Sequence, residues 1–195
     1  VISIRVSDEI RAKIAPQRMS SSTRPWTRFY PPGTPHDMGP LQYPHIPAAV
    51  RHASRTYGSK PAFTLGLPNG TQGGITFDET DRLSDQFAVY LREVAGFKAG
   101  DRIAIQMPNC LAYPVVVFGA LKAGLVMANT NPLYTATEMV HQFTDSGATG
   151  LVVIDLFANK VAEVLPQTAI KTVVVVRLAD LLPPLKRWLI AAVQK

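Results

Sequence analysis

DRIAIQMPNCLAYPVVVFGALKAGLVMANTNPLYTATEM, residues 101–139, is the stretch whose pattern decides the fold. Ile103, Ala104 and Ile105 form a short apolar run before Met107-Pro108-Asn109, and Val115 to Ala123 follow as an almost unbroken apolar segment that Gly124 ends. This predicts a buried strand, a turn and a helix. A helix apolar on nearly every side has to lie between a sheet and another layer, and glycine can close it in the left-handed conformation. Leu125 to Ala128 give a second apolar strand, the polar residues 129–134 break it, and Thr135 opens a further helix. Strand, helix, strand with short connections is a βαβ unit, which requires parallel strands.

Downstream the rhythm repeats. Near-continuous apolar strands begin near 102, 125, 150 and 172, at RIAIQM, LVMAN, GLVVI and TVVVV. That is the pattern of a parallel sheet covered on both faces, an α/β architecture. Thr135 with Glu138 makes a capping box for a helix running to Ser146, closed by Gly147. Asp155 is the expected cap of the next helix, which should end before Pro166.

Upstream, Val50, Ala53, Ser54 and Tyr57 recur at helical spacing with Gly58 as the stop. Pro61 to Leu65 and Ile75 to Phe77 read as a hairpin whose loop includes Pro68-Asn69-Gly70 and Gly73-Gly74. These glycines lead into a strand with no following lysine, so they do not make a phosphate cradle. Asp78 is the expected cap of a helix with an apolar stripe of Leu83, Phe87, Tyr90, Leu91 and Val94, ended by Gly96.

Seven of the sixteen prolines fall between Pro25 and Pro47, so residues 1–44 read as an extended arm preceding an α/β region at 45–195. Residues 1–18 connect to nothing downstream, and Met19 resembles an ordinary protein start. They are either an upstream extension or a flexible tail.

At 195 residues, 47% hydrophobic and 17% charged, the chain can bury one sizeable core. The net charge of +6 is concentrated at the ends. Residues 1–28 and 171–195 are +4 each, while 29–170 are −2. A basic groove on the folded core is therefore not expected, and no nucleic-acid partner is assigned. Cys110 is the single cysteine, which excludes an intrachain disulfide framework and points to a reducing, cytoplasmic setting. No apolar run reaches the roughly 20 residues of a membrane span. His36, His45, His52 and His141 lack metal-ligand spacing. No catalytic residue and no metal ligand is assigned.

Residues 181–195 place Leu181, Leu182, Leu185, Trp188, Leu189, Ala192 and Val193 on one helical side, with Lys186, Arg187 and Lys195 away from it. Such a stripe suits packing against the rest of a protein, and it also suits weak contact with an anionic membrane surface at the inner face of the membrane.

The runs WTRFYPPGTP (residues 26–35), YGSKPAF (57–63), ITFDET (75–80) and GDRIAIQMPNCLAYPVVVFGALKAGLVMANTNPLYTATEMVHQFTDSGA (100–148) resemble the N-terminal part of bacterial long-chain fatty-acid–CoA ligases. Those enzymes belong to the adenylate-forming superfamily of acyl-CoA synthetases, luciferases and adenylation domains. The resemblance covers residues 26–195, and TNPLYT with HQFTDSGA carries the fatty-acyl branch. It implies an incomplete half of the large N-terminal domain, from an enzyme using fatty acid, Mg-ATP and CoA. The family's Ser/Thr/Gly-rich phosphate loop, ribose-binding aspartate and C-terminal-domain lysine do not occur in this sequence. A chain ending before that loop is expected to be inactive alone and to self-associate through its uncovered faces. The alternatives are a free-standing module that pairs with a full-length synthetase, or a ligase of the superfamily taking a shorter or aromatic acid.

In open parallel sheets ligands gather at the carboxyl ends of the strands, here Met107 to Asn109, residues 129–134 and Asp155 to Phe157. From the residues alone, Asn131-Pro132 is a turn feeding a helix cap. In the family these loops lie towards the side from which CoA enters, so the resemblance implies Asn131, Pro132, Leu133 and Tyr134 as CoA-approach residues.

Overall fold

The computed structural model describes residues 24–66, 70 and 72–182. The tail at residues 1–18, and the amphipathic segment from Pro183 onward, lie outside the described residues. The chain separates into two compact units, residues 1–42 and 43–195. In the first, Pro25–Phe29 form one 3-10 turn in which Thr27 is buried. The Arg24 guanidinium pairs with Asp37 and donates to the His36 carbonyl at 3.3 Å.

The second unit opens with helix α1 (Ile46–Tyr57), where His45 Nδ1 accepts from the Ala48 amide at 3.1 Å. Gly58 then turns the chain with φ +49°, a value that favours glycine. Strands β1 (Pro61–Gly66) and β2 (Gln72–Thr76) pair antiparallel as expected. The assignment of Gly73 and Gly74 to the loop is corrected, because both sit within β2. A Cβ on Gly74 would stand 3.0 Å from the Phe63 carbonyl, so the strands approach closely where glycine permits it.

Helix α2 (Phe77–Val89) corrects two further expectations. Its cap is Thr76, whose Oγ1 accepts from the Glu79 amide while the Glu79 carboxylate accepts from the Thr76 amide. Asp78 instead ties α2 to α1. Its Oδ1 accepts from Ser54 Oγ at 2.7 Å, and its amide donates to the Gly58 carbonyl. The buried face of α2 is Thr80, Ser84 and Ala88, continued by Leu91 in a following π-helical turn, Tyr90–Val94. Val94 is exposed and Leu83 and Phe87 are half-buried. The apolar stripe thus flanks a row of small side chains, because α2 lies against another helix.

That neighbour is α3 (Ala112–Lys122), which follows β3 (Arg102–Gln106) and leads to β4 (Val126–Asn129). Gly124 closes the turn at φ +78°. Helix α4 (Ala136–Ser146) carries the expected Thr135/Glu138 capping box and ends at left-handed Gly147. Strand β5 (Gly150–Ile154) follows. The regular helix expected after Asp155 is instead a 3-10 turn Asp155–Lys160, one α-turn α5 (Val161–Val164) and a second 3-10 turn Leu165–Gln167. Asp155 does not cap it. Its Oδ1 accepts from the Leu156 amide at 3.0 Å and from the Leu178 amide at 3.4 Å, the latter beyond strand β6 (Thr172–Val176).

The four strands that begin near 102, 125, 150 and 172 form one parallel sheet in the order β4-β3-β5-β6. Alternation along β3 divides the core. Ile103 and Ile105 pack with Ala112, Val116 and Ala120 of α3, while Ala104 packs with Met139 and Phe143 of α4. Helices therefore cover both faces, as the unbroken apolar strands require.

Candidate site at the carboxyl edge of the sheet

β4 lies on one side of β3 and β5 on the other, so the connections after β3 and after β4 run over opposite faces of the sheet. Such a reversal opens a crevice at the strands' carboxyl ends. The three loops singled out by sequence all lie at this edge. Among the described residues it holds a polar cleft of about 240 Å³ lined by Met107, Asn109, Tyr113, Asn129, Thr130 and Asn131, with Ile105 at its base.

Four of these residues, Tyr113, Asn129, Thr130 and Asn131, are held by specific bonds. Tyr113 Oη donates to Asn129 Oδ1 at 3.2 Å, fixing the end of β4 against the start of α3. The Thr130 amide donates to the Ile105 carbonyl, extending the β3–β4 ladder by one bond. Asn131 Oδ1 accepts from the Leu133 amide at 3.0 Å, and its carbonyl accepts from the Tyr134 amide at 3.2 Å. This is a side-chain-closed turn leading into the α4 cap, and Asn and Pro suit it. Asn131 is exposed, Pro132 and Tyr134 are half-buried, and Leu133 projects outward at 73% exposure.

Two residues outside the sequence-derived set support this loop. Gln106, fully buried at the end of β3, donates through Nε2 to the Asn131 carbonyl at 3.3 Å, and its Oε1 has no hydrogen-bond partner among the described residues. An orphaned buried acceptor of this kind costs about 1–3 kcal/mol. Its sequence signal was visible: Gln106 is the one uncharged polar residue in β3, which is apolar from Ile103 to Ile105. Lys160 Nζ donates to the Tyr134 carbonyl at 3.2 Å across a separation of 26 residues, which no local pattern reveals. Lys160 also adds to the stabilisation of the Glu138 carboxylate. The Thr135 amide and then the Thr135 hydroxyl hold that group below the usual carboxylate range, and Lys160 contributes last.

A second cleft, of about 400 Å³, opens between β1 and the start of α3. Its walls are mainly apolar, with Phe63 and Phe118 ring centroids 6.3 Å apart. Cys110 lines it, and burial pushes its thiol up from the ordinary range. Among the described residues, no three His, Cys, Asp or Glu side chains converge to hold a metal ion, and no helix is long and apolar enough to cross a membrane.

A profile of the family described as AMP-binding enzyme matches residues 50–194. The chain is 36% identical over 171 residues to a long-chain-fatty-acid–CoA ligase of Salmonella typhimurium, covering 87% of this chain and 29% of that protein. It is 37% identical over 84 residues to a salicyl-AMP ligase / salicyl-S-ArCP synthetase of Mycobacterium tuberculosis, covering 43% of this chain and 15% of that one. Among solved structures, a long-chain-fatty-acid-CoA ligase from Archaeoglobus fulgidus superposes with a TM-score of 0.63 at 23% identity, over 72% of this chain and 30% of the other. At that identity the likeness establishes the shared fold.

Proposed function

The chain belongs to the family of AMP-binding enzymes, and from that membership we propose that it is the leading part of the large domain of an ATP-dependent long-chain fatty-acid–CoA ligase. What carries this reading is the extent of the similarity. It runs through 171 residues for the long-chain-fatty-acid–CoA ligase of Salmonella typhimurium, against 84 for the salicyl-AMP ligase. The second reading, a ligase for an aromatic acid, rests on that shorter match.

Under this proposal Asn131, Pro132, Leu133 and Tyr134 border the approach of CoA. Outward-facing Leu133 offers apolar contact, and Lys160, bonded to the Tyr134 carbonyl, supplies a cation beside the loop for a phosphate-bearing ligand. Mg²⁺ is implied for the whole enzyme by the resemblance, and none of this chain's residues is proposed to hold it. The phosphate loop and catalytic lysine of the family are not among residues 1–195, so the 195-residue chain alone is expected not to make acyl-adenylate. It is also expected to self-associate, since edge-strand residues Val126 and Val175 are 51% and 53% exposed.

The test uses the enzyme that carries this chain. Palmitate-dependent pyrophosphate release is expected, with Lys160→Ala and Leu133→Ala each raising KM for CoA several-fold while leaving the adenylation half-reaction unchanged. Preference for salicylate over palmitate would favour the aromatic reading. An unchanged KM for CoA would remove the loop from the CoA path. Pyrophosphate release by the isolated chain above a no-protein blank would overturn its inactivity.

A further inference from the structure

Gln106 stands where an apolar side chain is the ordinary choice. It is fully buried, it shares the α4 side of β3 with Ala104, and its partner in the β3–β5 register is the fully buried Val153. Among the described residues its Nε2 donates to the Asn131 carbonyl at 3.3 Å and its Oε1 has no partner. The Asn131 carbonyl does not need that bond, because it also accepts from the Tyr134 amide at 3.2 Å. One neutral hydrogen bond adds little net stability, and a buried acceptor left unpaired takes as much away. Folding alone therefore gains nothing from an amide at this position over an apolar side chain of similar length.

What the bond supplies is position. β3 runs between β4 and β5, so its end is held from both sides. The β3–β4 ladder stops at the Thr130 amide, bonded to the Ile105 carbonyl, and α4 begins only at Ala136. Between them the turn closes on itself, with Asn131 Oδ1 accepting from the Leu133 amide at 3.0 Å and the Asn131 carbonyl from the Tyr134 amide. Bonds of this kind fix the shape of a turn but not its direction from the sheet. Lys160 holds the far end through the Tyr134 carbonyl, from the close of the 3-10 turn Asp155–Lys160. Gln106 holds the near end from the buried sheet.

We propose that Gln106 is a positioning residue for the 131–134 loop: from the buried end of β3 it sets where Asn131 to Tyr134 stand at the carboxyl edge, at a cost in stability. The functional consequence rests on the assignment of this loop to the approach of CoA. A loop tied to a rigid strand presents outward-facing Leu133 in one arrangement, whereas an untied loop must be ordered when the ligand binds, which weakens affinity.

The test compares Gln106→Met and Gln106→Leu with wild type in the enzyme that carries this chain. Both variants remove the donor and the orphaned acceptor together, so the melting temperature is expected to stay level or rise. Hydrogen exchange, followed by mass spectrometry, is expected to run roughly tenfold faster in the peptide covering residues 131–135, with β5 and α4 unchanged. KM for CoA is expected to rise about threefold while KM for ATP does not move. Unchanged exchange at 131–135 in both variants would overturn the proposal. So would a lowered melting temperature with exchange accelerated along the whole sheet, or a failure of both variants to fold, since each would make Gln106 a structural residue. Faster exchange confined to the loop, with KM for CoA unaltered in both Gln106 variants and in Leu133→Ala, would uphold the positioning role and remove the loop from the CoA path.

Discussion

On one face of the sheet, α3 and then α2 stack through Gly119, Ser84 and Ala88; on the other, α4 meets the strands through Met139 and Phe143. A Cβ on Gly119 would lie 2.7 Å from Phe87 Cδ1 and 3.0 Å from the Ser84 carbonyl, so the helix pair has no spare room. Buried Ser84 satisfies its hydroxyl within its own helix, donating to the Thr80 carbonyl at 2.6 Å. At the end of the pair, Lys122, with 4% of its side chain exposed, binds the Asp81 carbonyl at 2.9 Å and Asp85 at 2.8 Å. The α4 face has large side chains, with Phe143, Met139 and Val164 fully buried. Close backbone approach with a polar lock and bulk apolar filling are two ways to cover the same strands, and they fail differently. The first is intolerant of added atoms, the second of removed ones.

The largest expected effect tests the filled face. Phe143→Ala should lower the unfolding free energy by about 3–5 kcal/mol, measured by urea denaturation, because it opens a cavity the size of a ring between α4 and the sheet. A loss below about 1 kcal/mol would show that this face can collapse around the gap, and the contrast would weaken. Next comes the close-packed face. Gly119→Ala should cost about 1–3 kcal/mol although alanine favours helices, since the added methyl meets the Ser84 backbone as well as a movable ring. A stabilised Gly119→Ala would mean that the helix pair has slack.

The smallest effect concerns the cap of α4. Glu138 has a native pKa below its ordinary value, so its contribution is fully present above the unfolded pKa and is lost as pH falls through the native one. Wild type and Glu138→Gln should therefore differ in Tm at neutral pH and converge as the pH drops below the usual carboxylate range. A constant gap across that range would detach the box from Glu138's charge. Thr76 and Glu79 form the same box on α2, which allows the two to be compared.

The parallel sheet, its four strand starts, the Thr135/Glu138 box and the Gly147 stop were all legible, because each depends on residues within one strand or one helical turn. The α2 cap was displaced by two residues because Ile75 to Phe77 read as strand, which hid Thr76 and Glu79 behind the more obvious Asp78. Gly73 and Gly74 read as loop residues because nothing in their sequence discloses the Phe63 carbonyl across the ladder. At the candidate site, the positions of Asn131, Pro132, Leu133 and Tyr134 at a carboxyl edge followed from the βα rhythm. Their support by Gln106 and Lys160, at separations of 25 and 26 residues, did not.

By itself the sequence determined the class of fold, since only a sheet covered on both faces accommodates strands as apolar as GLVVI and TVVVV. It also determined the family, through motifs that run along most of the chain. Strand order, the closeness of α2 to α3 and the orphaned Gln106 oxygen were decided in three dimensions. The physical reason is range. Periodicity and caps are set by neighbours in sequence, whereas register between strands, steric room for a Cβ and the partner of a buried polar atom depend on residues that meet after the chain has closed on itself.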